Sequence, residues 1–166
     1  FAVDLDFGTG GMRGIIRNGT NGMNIYVVSK ATQGLANYVN SKIFDSPKAA
    51  IAYDSRKYSK EFAEEAAAVL ASNGIKTYIF KDIRPTPELS FAVRELGCVT
   101  GIVVTASHNP KEYNGYKVYW KDGGQVINPD DKAIIAEVKK VITLTDVKKE
   151  DFNELLKKGM IEYIDD

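Results

Sequence analysis

The sequence contains a single cysteine and a single histidine in 166 residues. With only Cys98 available no internal disulfide can form, and a reducing, cytoplasmic setting is the simpler expectation. Charge of one sign is also missing, since 22 basic residues face 22 acidic ones. No field of one sign attracts nucleic acid or an anionic membrane surface. No stretch approaches the roughly 18 apolar residues of a membrane span, and the N-terminus has neither a basic nor an apolar leader region. Nucleic-acid and membrane partners are therefore not expected, and a neutral surface points to small molecules. Repeats and low-complexity tracts are absent as well. What is present is a 44% hydrophobic composition, enough for one real core. The chain begins at Phe1 without methionine, which suggests a fragment or a processed product.

Strand and helix signals alternate along the chain. Asn24 to Val28 is rich in β-formers and reads as a strand, followed by a helix over Lys30 to Ile43 with Leu35, Val39 and Ile43 on one stripe. Ala49 to Tyr53 reads as a buried strand. A helix from Ser59, its N-cap candidate, carries Phe62, Ala66, Val69 and Leu70 and ends before Gly74. Lys76 to Phe80 is a strand. Thr86 is the capping hydroxyl of a helix that buries Leu89, Ala92, Val93 and Leu96 and ends at Gly97. The run Gly101 to Val104 is a strand, and too few residues separate it from the strand Gly115 to Trp120 to hold a crossover helix, so that pair is expected antiparallel. Asn128-Pro129 starts a helix through Ile134, Ile135, Val138 and Val141. This succession predicts an α/β fold, a three-layer α/β/α sandwich around a mixed, mostly parallel sheet. Residues 1–143 form the domain. Residues 144–166, charged and then apolar, read as a short helix and a tail strand leading towards something beyond the sequence.

Four segments stand out for chemistry. FGTGGMRG, residues 7 to 14, fails the dinucleotide fingerprint because Arg13 stands where the third glycine belongs, and it lacks the Lys-Ser/Thr of a P-loop. It offers a backbone that can approach an anion closely and a guanidinium that can fork onto phosphate oxygens, against the plainer reading of a lead-in segment. TASHNP, residues 105 to 110, ends a strand at the sheet edge where open α/β folds place ligands. The plain reading is a loop turned by Asn-Pro. A hydrolase triad is weak: His108 is the sole histidine, neighbours in an extended strand point to opposite faces, and no G-x-S-x-G elbow is present. A phosphoryl group on Ser107 fits better, with Arg13, His108 and Lys117 as candidate cations around it. In NGYKVYW, residues 114 to 120, alternation places Lys117 with Tyr119 and Lys121 on the face opposite Tyr116, Val118 and Trp120, although a solvated edge lysine is the plainer reading. RPTPEL, residues 84 to 89, explains itself as a helix start, and Cys98 as a small core residue.

In this order FGTGGMRG, YDSRKYS, RPTPEL, TASHNP and NGYKVYW resemble the first domain of the α-D-phosphohexomutases, the phosphoglucomutase and phosphomannomutase superfamily. The resemblance implies an isomerase that interconverts hexose 1-phosphate and hexose 6-phosphate through a phosphoserine and a hexose 1,6-bisphosphate. It implies Ser107 as the phosphoserine, whose phosphoryl oxygen also meets the metal, Arg13 as the loop arginine, Lys117 as a general acid or base, and His108 beside the reacting hydroxyl. It also implies Mg2+, with its other ligands on an Asp-Gly-Asp-x-Asp-Arg loop of a second domain. No such run occurs in the sequence, so the partners expected are the remaining domains of the same polypeptide, and the piece alone is expected to be inactive. Two alternatives stay open: a phosphopentomutase-like member of the superfamily, and a non-catalytic sugar-phosphate-binding module.

Overall fold

The computed structural model describes residues 7, 8, 10–19, 21–106 and 108–165. Ser107 therefore lies outside the described residues. Among the described residues, six strands and five α-helices follow one another as β1 (Gly11–Ile15), α1 (Ile25–Ser41), β2 (Lys48–Tyr53), α2 (Ser59–Ser72), β3 (Lys76–Phe80), α3 (Thr86–Glu95), β4 (Thr100–Val104), β5 (Tyr113–Trp120), α4 (Asp130–Lys140), α5 (Phe152–Lys157) and β6 (Ile161–Ile164). The strands form one sheet in the order β1-β5-β4-β2-β3-β6. Pairing is parallel from β4 through β2 and β3 to β6, while β5 runs antiparallel to both β4 and β1. The mixed, mostly parallel sheet and the antiparallel β4–β5 pair are thus as the sequence predicts.

Alternation along β2 shows how the layers arise. Ala49, Ile51 and Tyr53 face a large core under α1 and α2, whereas Ala50 and Ala52 face a smaller one with Leu89 and Val93 of α3. A strand buried on both faces has to be apolar throughout, and KAAIAY is nearly so. In β5 the same alternation puts Tyr116, Val118 and Trp120 in the large core and Tyr119 in the small one. Helix α4 packs on α1 at Gly34, where a Cβ would sit 2.5 Å from Val138 Cα. Only glycine permits that approach.

Several local expectations require correction. Asn24 to Val28 is the start of α1, not a strand: the Asn24 side chain accepts from Val27 N–H at 3.0 Å and donates to the Arg17 and Gly19 carbonyls, a capping arrangement that overrides the β-propensity of Ile25 to Val28. The glycine-rich segment is in part a strand, since residues 11–15 pair with β5. Ser59 and Thr86 are the first helical residues, with Tyr58 and Pro85 in the cap positions. Helix α4 begins after Pro129, at Asp130. Past Thr143 the tail helix forms as expected, and β6 then pairs with β3 along the sheet edge.

Candidate active site

The strand β4 ends at Val104, and Thr105 N–H still reaches the Gly115 carbonyl at 3.0 Å. The connection to β5 thus leaves the sheet at its C-terminal edge, beside the end of β2, where Asp54 N–H donates to the Val104 carbonyl at 3.2 Å. The sheet register fixes what lies next to this edge. Arg13 stands opposite Gly115, and Gly11 opposite Lys117. Directly paired residues share a face, so Arg13 and Lys117 are diagonal neighbours on one side of the sheet. It is the side opposite the large core, since Met12 and Tyr116 point into that core. Arg13 is exposed and Lys117 half-buried. The row Arg13–Gly115–Thr105 leads across the sheet to the segment carrying Ser107. Glycine at 115 keeps that row open, for a Cβ there would lie 2.5 Å from the Thr105 carbonyl oxygen.

His108 is exposed in the turn that follows residue 107, and Asn109 N–H closes that turn on the Ala106 carbonyl at 3.1 Å. The register thus brings Arg13 and Lys117 together and sets both near the strand end, while His108 sits on the crest of the loop.

Arg56 is the residue that sequence reasoning missed. It lies in YDSRKYS, just past the end of β2, and its guanidinium donates to the carbonyls of Asn109 at 2.6 Å, Pro110 at 2.7 Å and Tyr113 at 3.2 Å. Its Nε lies 3.6 Å from Asp54 Oδ2. Asp54 Oδ1 in turn accepts from Arg56 N–H at 2.9 Å and from the Ser59 hydroxyl at 2.7 Å. Asn114, fully buried, donates to Ser59 Oγ at 2.9 Å and to the Lys57 carbonyl at 3.2 Å. One polar chain therefore runs from β5 through the start of α2 and the end of β2 to the loop. The available signal was the position of Asp54 and Arg56 at the C-terminal edge of a strand, which brings them beside any neighbouring strand's loop. Pairing between β2 and β4 is not written in either segment alone. Cys98 is buried beneath α3, and burial pushes its thiol up to about 11, consistent with a core residue. Among the described residues no group of three His, Cys, Asp or Glu side chains could hold a metal ion. No helix among them is long and apolar enough to cross a membrane.

Comparison with known proteins agrees with this architecture. Residues 4–144 match the family described as "Phosphoglucomutase/phosphomannomutase, alpha/beta/alpha domain I". A phosphoglucomutase of Staphylococcus saprophyticus is 41% identical over 160 residues, covering 96% of this chain and 29% of that protein. A phosphopentomutase of Homo sapiens is 41% identical over 142 residues, covering 81% of this chain and 23% of that protein. Among solved structures, a Thermus thermophilus protein described as a phosphomannomutase superposes with a TM-score of 0.81 at 27% identity, over 99% of this chain and 34% of the other. Parafusin of Paramecium, at 18% identity and a TM-score of 0.67 over 85% of this chain and 27% of that one, shares the fold. The chain spans under a third of the length of these curated relatives. It belongs to the phosphoglucomutase/phosphomannomutase family, as that family's α/β/α domain I.

Proposed function

We propose that the chain is the phosphoserine-bearing domain of a sugar-phosphate mutase, with Ser107 as the phosphoryl carrier. The observation that supports this most is the register that sets Arg13 and Lys117 on one sheet face, in the rows leading to the TASHNP loop. In the proposed cycle a hexose phosphate hydroxyl attacks phosphorus, the Ser107 Oγ–P bond breaks, and the hydroxyl proton passes to a base. The resulting bisphosphate presents its other phosphoryl to Ser107 Oγ, which takes it and releases the isomeric monophosphate. Arg13 neutralises the phosphoryl oxygens, Lys117 serves as the acid or base, and His108 flanks the reacting oxygen. Phosphoryl transfer asks little of the protein beyond positioning and charge neutralisation, and these residue types supply both.

Mg2+ belongs to the same reading, and the phosphoryl oxygen on Ser107 would be one of its ligands, the ion supplying charge neutralisation to the transferring group. The family resemblance would put its carboxylate ligands on an Asp-Gly-Asp-x-Asp-Arg loop, a run this sequence does not contain, and among the described residues no group of three His, Cys, Asp or Glu side chains fits the ion. Residues 1–143 constitute the phosphoserine domain, supported by the family match ending at 144. Residues 144–166 lead to the next domain after lining the sheet edge as β6. The protein works in the cytoplasm.

The test is to incubate the full-length polypeptide with a hexose 1,6-bisphosphate and map the phosphate. It is expected on Ser107, and Ser107→Ala abolishes turnover; phosphate on another residue overturns the reading. The 166-residue piece alone is expected to show no glucose 1-phosphate to glucose 6-phosphate conversion above an S107A control, because it has no second wall to orient the sugar. The likeness to a phosphopentomutase supports a second reading in which pentose phosphates are preferred. Relative kcat/KM on ribose 1-phosphate and glucose 1-phosphate decides between them.

A further inference from the structure

The two arginines beside the loop are used differently. Arg13 is exposed on the sheet face, free in direction to meet a ligand, whereas the Arg56 side chain is only 14% exposed and is already committed to three loop carbonyls and to Asp54. Arg56 comes from 53 to 57 residues earlier in the chain than the carbonyls it holds. The geometry points to Arg56 as the positioning residue of the serine loop, with Asp54 as its counter-ion, an inference that rests on the phosphoserine reading of Ser107.

The physical case has three parts. First, the loop leaves β4 through a sheet bond at Thr105 and re-enters β5 at Tyr113, so its N-terminal end is fixed by the sheet. Its last residues re-enter the sheet, Tyr113 pairing with Ile15 and the Glu112 carbonyl accepting from Ile16 N–H at 2.8 Å, so Asn109 and Pro110, which lie outside the strands, are the part that needs an anchor. Arg56 supplies it there. Second, a guanidinium stays protonated throughout the working pH range and carries five donors in a rigid fork, so three carbonyls can converge on one group. Charge-assisted bonds of this kind are stronger than neutral ones. Third, the anchor is itself anchored: Asp54 is bound to the Ser59 hydroxyl, and Ser59 to buried Asn114 at the root of the loop. A shift of the Arg56 stem is therefore resisted from both ends of the connection. Since transfer between a sugar and a serine depends on in-line geometry, an error of about 1 Å in loop placement is worth about 100-fold in rate.

The experiment compares Arg56→Ala, Arg56→Lys and Lys149→Met in the full-length polypeptide. Lys149 lies in the tail segment, where it pairs with Glu65, and serves as a structural control. The readouts are the single-turnover rate of Ser107 phosphorylation from hexose 1,6-bisphosphate, steady-state kcat and KM, and Tm. R56A is expected to lose about 100-fold in both the phosphorylation rate and kcat with KM changed less than about threefold. R56K recovers little, because an ammonium is a point charge and not a fork. Added guanidinium restores R56A at least several-fold and leaves K149M unchanged. If R56A does not fold, R56K carries the same test. Phosphorylation at the wild-type rate in a folded Arg56 variant overturns the assignment, as does a loss of rate that vanishes on cooling to where the variant is fully folded. Wild-type protein that takes phosphate elsewhere than Ser107 overturns the functional reading and this inference with it, whereas wild-type labelling at Ser107 with unaffected Arg56 variants removes the inference alone.

Discussion

Two irregular segments of this domain are each clipped down by side chains from distant elements, and the clips are of opposite kinds. At Asn109 to Tyr113 a single cation gathers three carbonyls, and its charge is balanced by Asp54. At residues 147–151, ahead of α5, the clips are mostly neutral and serve donors and acceptors alike. Lys148 N–H donates to Gln33 Oε1 at 2.9 Å, Asn73 Nδ2 donates to the Lys148 carbonyl at 3.3 Å, and Glu150 N–H donates to Ser72 Oγ at 2.7 Å. The tail is treated as though it were an extra strand laid on α1 and α2. Neutral side chains satisfy a backbone and nothing more, while a half-buried charge with its own counter-ion network fixes position at a higher desolvation cost. The difference separates a segment that must be in one place from one that must only be covered.

The largest effect expected in solution stability comes from the root of the loop network. Asn114→Ala removes bonds to Ser59, to the Lys57 carbonyl and to the Gly115 N–H from a fully buried site, and should cost about 2–4 kcal/mol in urea unfolding. Gln33→Ala breaks the tail clip and its mutual amide pair with Asn73, and about 1–2 kcal/mol is expected, with mutase kinetics of the full-length protein untouched. The double variant should be additive to within about 0.5 kcal/mol, because the two networks share no partner; a larger coupling would break the contrast drawn between them. Lys149→Met is expected to cost about 1–2 kcal/mol, since water screens the lysine, 42% exposed, but the change leaves Glu65, 9% exposed, without its cation and held by the Ser29 hydroxyl. A last check is pH dependence. Burial raises Cys98 from 9.0 to about 11, and burial followed by the hydrogen bond to Asp130 raises Tyr38 from 10.0 to about 12. Both groups ionise more readily when unfolded, so their contribution is intact below pH 9 and declines as pH rises through 9 to 12. Urea titrations at about pH 8 and about pH 10.5 measure it, and Cys98 should react with a thiol reagent at the lower pH only as fast as the chain opens.

Most of the fold is legible in the sequence because buried strands such as KAAIAY and amphipathic helices carry their own pattern. The segments that mislead have their conformation decided elsewhere. Ile25 to Val28 reads as strand by composition, yet Asn24 is tied to Arg17 and Gly19 and so caps a helix. GMRGI has two glycines where a strand normally shows side chains, and it is a strand because β5 offers it a free edge. In the candidate site, Arg13 and Lys117 are legible through motif and alternation. Arg56 is not, because its contacts with the loop depend on β2 and β4 being neighbours, a fact of sheet order. The network of Asp54, Ser59 and Asn114 is hidden for the same reason: Ser59 looks like a helix cap, but its hydroxyl is spent on Asp54.

The pairing of β1 with β5 has a consequence for how the protein is made. The partners of Gly11 to Ile15, which are Tyr113 to Lys117, leave the ribosome about a hundred residues after them. At roughly 5–20 residues per second, that is a wait of about 5–20 s during which the strand bearing Arg13 has no partner. Meanwhile β2, α2, β3 and α3 can already dock on one another through connections between sequence neighbours. The β2–β3 part of the sheet is thus available early, whereas the part that holds Arg13 and Lys117 waits for β5, a long-range contact of the slow-forming sort. A nascent chain stalled before residue 113 would therefore present a substantial α/β nucleus with β1 still unpaired, and a chaperone that reads unpaired strand would find its target there.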